Sequence, residues 1–159
     1  TVIIVTNDKD AGSYPGLHIY DYTKDVPMLK LTPDFGSIWK NSYGKGNCEG
    51  FMFYCFQMLN GDGVDHYKPC QLAGVRFADA GAMKVLEGAQ TKQEALDRVI
   101  EQYKKWYPVA FKYTDWAGKE HKADYMTMLQ LYHKCVRMKE TANDKLDFID
   151  FTKKQGIKL

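Results

Sequence analysis

The chain has 159 residues, 45% hydrophobic and 26% charged, with a formal net charge of +2. That length and balance suit one well-cored domain and exclude a disordered segment, which would be poorer in apolar side chains. Lys and Arg are interspersed with Asp and Glu, so nucleic acid and anionic membrane surfaces are not expected partners, and no apolar run reaches the roughly 20 residues that span a bilayer.

The N-terminal stretch Thr1–Asp8 lacks the basic leader and small-residue cleavage pattern of a signal peptide. The four cysteines are too sparse for a secreted disulfide scaffold, so a reduced, cytoplasmic protein is expected. Val2–Val5, continuous and β-branched, predicts a buried strand. Asn7–Gly16 reads as a loop, and the alternation over Leu17–Tyr22 predicts a half-buried strand with Ile19 on one side and His18 and Tyr20 on the other. A third strand, about Met28–Leu31, lies between Pro27 and Pro33 and is expected at an edge, and Ser37–Lys40 adds another.

From there the pattern turns helical. Asn47 is a plausible N-cap for the apolar run Phe51–Leu59, which should stop at the turn Asn60-Gly61-Asp62-Gly63. Asp79–Leu86 predicts a short helix. Thr91-Lys92-Gln93-Glu94 is a capping box, followed at helical spacing by Leu96, Val99, Ile100, Tyr103 and Tyr107. Val109–Tyr113 alternates as a strand, and Trp116–Lys119 turns the chain. Asp124–Met138 is the longest predicted helix, with Tyr125, Met128, Leu129, Tyr132 and Val136 inward and His133 as a hydrogen-bonded core histidine. Asn143–Phe151 predicts a last helix that docks through Leu146, Phe148, Ile149 and Phe151. The expected fold is α+β, a single domain over 1–159, with a small, mostly antiparallel sheet from the N-terminal part packed by about four or five helices.

The chemistry-bearing candidates cluster around residues 40–48. If a helix begins at Asn47, its first turn aims free N–H groups at the loop, and Cys48 lies at the positive end of the helix dipole, where a thiolate is favoured. The string Asn47-Cys48-Glu49-Gly50-Phe51 resembles the nucleophile-bearing helix start of NlpC-type, papain-like amidohydrolases. That resemblance implies a histidine partner for Cys48, with His66 and His18 as the candidates. Lys40, Gly44, Lys45, Gly46 and Asn47 also suit a phosphate, carboxylate or nucleotide, although the Lys-Ser/Thr ending of a P-loop is missing.

Other candidates are weaker. His66/Cys70 and His133/Cys135 lack the Cys-x-x-Cys spacing of a zinc site, and Val64 stands where a calcium loop needs a ligand, so no metal or cofactor is expected. Trp106, Tyr107, Tyr113 and Trp116 read as a core edge, with Trp116 a possible ligand-stacking ring. The reading that weighs most is a non-catalytic binding or accessory protein that engages a protein partner or small ligand. A phosphate- or nucleotide-binding enzyme and a Cys48 hydrolase or transferase are its alternatives. Oligomeric state and enzymatic activity are not legible at this level.

Overall fold

A computed structural model describes residues 3–23 and 29–159. Its centre is helix α1, Gly50–Asn60, in which every residue from Gly50 to Leu59 is buried. A helix apolar on all sides must be enclosed on all sides. It is enclosed by α2 (Asp79–Leu86), α3 (Lys92–Trp106), α4 (Tyr125–Val136) and α5 (Phe148–Lys154), which share one core with it. Met58, Leu59, Leu96, Val99, Met128 and Leu129 are fully sequestered there, each stabilising the fold by about 2 kcal/mol relative to exposure. Tyrosines in this core keep their hydroxyls bonded: Tyr103 donates to the Met58 carbonyl at 2.8 Å and Tyr107 to the Pro69 carbonyl at 2.5 Å.

The helix ends follow their sequence signals. Thr91 Oγ1 accepts from the Glu94 amide at 3.1 Å, while the Glu94 carboxylate accepts from the Gln90 amide, one residue ahead of the cap, at 2.8 Å. Asp124 and Asp147 cap α4 and α5 in the same way, through Thr127 N–H and Asp150 N–H. The expected last helix begins later than its apolar pattern suggests, because Asp147 is the residue that satisfies its first donors. Phe148 and Phe151 are buried on the body, but Ile149 is 44% exposed and does not dock.

Among the described residues the strands form three small sheets rather than one. β1 (Ile3–Val5), β2 (His18–Tyr20) and β3 (Leu29–Leu31) lie in that order, β1 parallel and β3 antiparallel to β2. β3 is an edge strand, as its flanking prolines require; position 28 of the expected strand lies outside the described residues. β1 is also an edge, and the expectation that it is buried fails: Ile3 and Val5, in register with His18 and Tyr20, are 51% and 63% exposed. β4 (Ile38–Lys40) pairs antiparallel with β5 (Gly46–Cys48). β6 (Phe111–Thr114) pairs with β7 (Glu120–Ala123), and β7 is charged enough to escape a reading based on hydrophobic alternation. No helix among the described residues is long and apolar enough to cross a membrane.

Candidate functional site

The feature that decides the geometry around residue 47 is a strap of residues 33–37 laid across the start of α1. Phe51 N–H donates to the Asp34 carbonyl and Met52 N–H to the Phe35 carbonyl, at 3.3 and 3.0 Å, and Phe53 N–H returns to Glu49. These first-turn donors are therefore spent. Glu49, not Asn47, is the N-cap residue, and its side chain makes no cap bond. Residues 46–48 belong to β5 instead. The helix-dipole argument for an activated Cys48 and the free-donor argument for an anion both lose their physical basis.

Cys48 sits half-buried beside the core. Burial first, and then the neighbouring Asp79 carboxylate, push its thiol up to about 12, so it stays protonated near neutrality. Neither candidate histidine reaches it. His66 is exposed on the turn after α1, with φ +56°. His18 is aligned with Ile3 and Leu31 on the sheet face opposite Ile19, and Ile19 is the residue that approaches the Cys48 region. We expect iodoacetamide at pH 8 to label the exposed Cys135 at least about tenfold faster than Cys48 in the folded protein. Peptide mapping that found Cys48 modified first would restore the nucleophile.

What Cys48 does line is a cleft of about 600 Å³. One wall is the segment after β1 (Thr6–Lys9) with Ile19, Asp21 and Lys30 from the first sheet; the other is the β4–β5 hairpin, through Trp39, Lys45, Gly46, Asn47, Cys48 and Glu49. The floor is α1, through Phe53, Phe56 and Gln57. Trp39 and Asn47 are cross-strand partners, which sets them side by side on the cleft face of the hairpin. Trp39 is 40% exposed, whereas Phe53 and Phe56 are buried beneath the opening.

Charge in the cleft is unevenly spent. Lys9 pairs with Asp62 at 2.5 Å and Lys30 pairs with Glu49. Burial works to raise the Asp62 carboxyl, but the Lys9 ammonium and the Val64 and Asp65 amides hold it below its usual range. The Lys9 ammonium also lies within electrostatic reach of Asp10 and Asp65, whose carboxylates cluster with that of Asp62. The Asp79 carboxylate accepts the Gly46 N–H at 2.5 Å. Gly46 is glycine for this approach to α2, since a Cβ there would fall 2.7 Å from Met83 Sδ. Five carboxylates line the cleft (Asp8, Asp21, Glu49, Asp62, Asp79) against three ammonium groups (Lys9, Lys30, Lys45).

Of the residues singled out from sequence, Lys45, Gly46, Asn47 and Cys48 meet here, while Lys40, Gly44, His18, His66 and Trp116 do not line the cleft. Lys40 alternates to the other hairpin face from Trp39, and Gly44 closes the hairpin turn, its N–H bonded to the Asn41 carbonyl. Trp116 is 99% exposed at the tip of the β6–β7 hairpin, apart from its own aromatic set, of which Trp106 and Tyr107 are buried. Sequence reasoning missed Trp39, although its position one residue after Ile38 in a strand was a signal that it faced away from the core. Compared with known proteins, the chain matches no family model, no curated protein and no solved structure.

Proposed function

We propose that this is a non-catalytic binding protein whose cleft takes a small, uncharged or cationic amphipathic ligand. The observation that carries the reading is that the half-exposed Trp39 lines the same opening of about 600 Å³ as Phe53 and Phe56, a size and lining typical of small-molecule sites. An aromatic face accepts an apolar ring or an ammonium group, and the excess of carboxylates favours positive over negative charge. Asn47, Asn60 and Gln57 add amides at the rim and floor that can orient hydroxyl or amine groups. The protonated Cys48 thiol supports binding over thiol chemistry, and the acid-rich lining weighs against a phosphate or nucleotide.

The test is a thermal-shift and Trp-fluorescence screen of aromatic amines, polyols and their phosphorylated analogues. A ligand at about 100 times its Kd should raise Tm by roughly 5–10 °C. Trp39→Ala should abolish the shift while leaving the unliganded Tm within about 2 °C, because an exposed ring contributes little to stability. A panel in which only the phosphorylated compounds shift Tm, or in which Trp39→Ala responds like the parent, would overturn the reading.

A further inference from the structure

A second cleft, of about 690 Å³, opens between the end of α4, the 138–147 connection and α5. Its inner wall includes His133, a histidine only 1% exposed. Tyr54, fully buried on α1, places its hydroxyl 2.9 Å from His133 Nδ1. Burial drives the Tyr54 phenol well above its ordinary range and lowers His133 to about 4. Both groups are therefore neutral, and because the Tyr54 hydroxyl has no other acceptor among the described residues, the phenol is taken as the donor in this bond. Nδ1 is then the acceptor, and the ring proton resides on Nε2. Among the described residues no sealed side-chain nitrogen or oxygen lacks a hydrogen bond. Nε2 has no acceptor among those residues, so it is not sealed, and His133 lines the cleft.

One turn further on, Arg137 lines the same cleft. Its guanidinium lies 4.4 Å from the Tyr14 ring centroid and 5.1 Å from that of Phe151, with Nη2 paired to Glu140. The side chain is only 7% exposed, and its other guanidinium nitrogens make no hydrogen bond with a described residue. Four basic and four acidic residues line this cleft, but they are not equally available. Glu140 is held by Arg137, the Asp144 carboxylate accepts from the Glu140 and Leu146 amides, and Asp147 accepts from the Asp150 amide. Lys145, Lys153 and Lys154 make no side-chain hydrogen bond or ion pair with a described residue. The carboxylate of Asp150, the fourth acidic residue, likewise makes no hydrogen bond or ion pair with a described residue, so three ammonium groups stand against one carboxylate and donors exceed acceptors.

We propose that this cleft binds an oxyanion, a phosphate or carboxylate group, between His133 Nε2–H and the Arg137 guanidinium at its base and the unpaired lysines at its mouth. A buried imidazole N–H and a ring-stacked guanidinium are fixed before binding, so the ligand pays little to order them. The site is independent of the Trp39 cleft, and neither reading depends on the other.

The test uses inorganic phosphate, acetate and chloride as probes at constant ionic strength. Side-chain NMR of the ¹⁵N-labelled protein reads His133 Nε2 and Arg137 Nε directly. Saturable movement of both resonances with phosphate or acetate, and none with chloride, is the expected result. Whichever of the two binds more tightly identifies the group as phosphoryl or carboxylate. Lys153→Ala/Lys154→Ala, a change confined to exposed side chains, should weaken binding about fivefold without altering the free spectrum of His133. Equal, linear drifts with all three salts would mean that the cleft holds water alone, and unchanged affinity in the double variant would remove the lysines from the site.

Discussion

Gly36→Ala is expected to destabilise the protein by more than about 3 kcal/mol, a fall in Tm of about 10 °C. Gly36 has φ +79°, and a Cβ built on it would lie 2.0 Å from the Glu49 carbonyl oxygen and 2.6 Å from its carbon. Both atoms are backbone, so no rotamer change relieves the overlap. The strap and the helix start are locked reciprocally, since a Cβ on Gly50 would lie 2.5 Å from the Pro33 carbonyl. Separating them to admit a methyl group also breaks the bonds from Phe51 and Met52 to Asp34 and Phe35, leaving buried donors without partners. Gly44→Ala isolates the backbone component. Gly44 has a similar φ of +75° but nothing within 4 Å of an added methyl group, so it should cost only about 1–2 kcal/mol. Urea unfolding of both variants is the measurement. Equal losses would mean that the strap is not clamped on α1 as the distances require.

That strap also explains where the sequence is and is not legible. Elements whose signals are local come through: the Thr91–Glu94 box, the α4 stripe, and the stop at Gly61, where the Gly61 N–H bonds to the Gln57 carbonyl. The α+β class follows from those segments. The start of α1 lies later than its sequence signal because its first donors are satisfied by Asp34 and Phe35, residues well upstream, rather than by a side chain at Asn47. Nothing in the string Gly44–Cys48 announces pairing with Ile38–Lys40, since Gly46 and Asn47 are weak strand formers whose pairing is enforced by Asp79 and Met83 from α2. Of the run Val2–Val5, whose position 2 lies outside the described residues, Ile3 and Val5 carry a burial pattern that the fold does not use, because the sheet face holding them is turned to solvent.

The candidate cleft is half legible for the same reason. Lys45–Cys48 stands out by composition, but the opposing wall, Thr6–Lys9 with Asp21 and Lys30, has no motif of its own and becomes part of the site only through tertiary placement. The chemistry attached to Cys48 rests on a helix dipole, and a shift of the helix start by a few residues is enough to remove it. His133 shows the reverse case. Its place on a partly apolar helix face identifies it as a bonded core histidine, but its partner Tyr54, 79 residues away, is not deducible.

Acidification is expected to unfold this protein through His133. The imidazole titrates near 6.5 in the unfolded chain and at about 4 in the fold, chiefly through burial and then through the Arg137 charge. Between those values the unfolded chain binds the proton and the native state does not. Stability from this group is thus complete above about pH 6.5, falls as pH drops toward 4, and changes no further below that, for a total of about 3 kcal/mol. Asp62, Asp124 and Asp144, whose carboxyls are held below the ordinary 3.8 by their bonds, lose their contribution only at lower pH. The Asp10 carboxyl, raised by burial and by Asp8, acts with opposite sign and offsets part of the slope near its lower end. His133→Gln keeps an acceptor for the Tyr54 hydroxyl but cannot titrate. It should lower stability at pH 7 through lost packing among Tyr54, Phe148 and Phe151, whose rings surround the imidazole at 4.9–5.8 Å, while flattening the dependence between pH 6.5 and 4.5. Urea unfolding of both proteins across that range decides the matter, because a parent protein whose stability stays level down to pH 4.5 cannot hold a neutral histidine in its core.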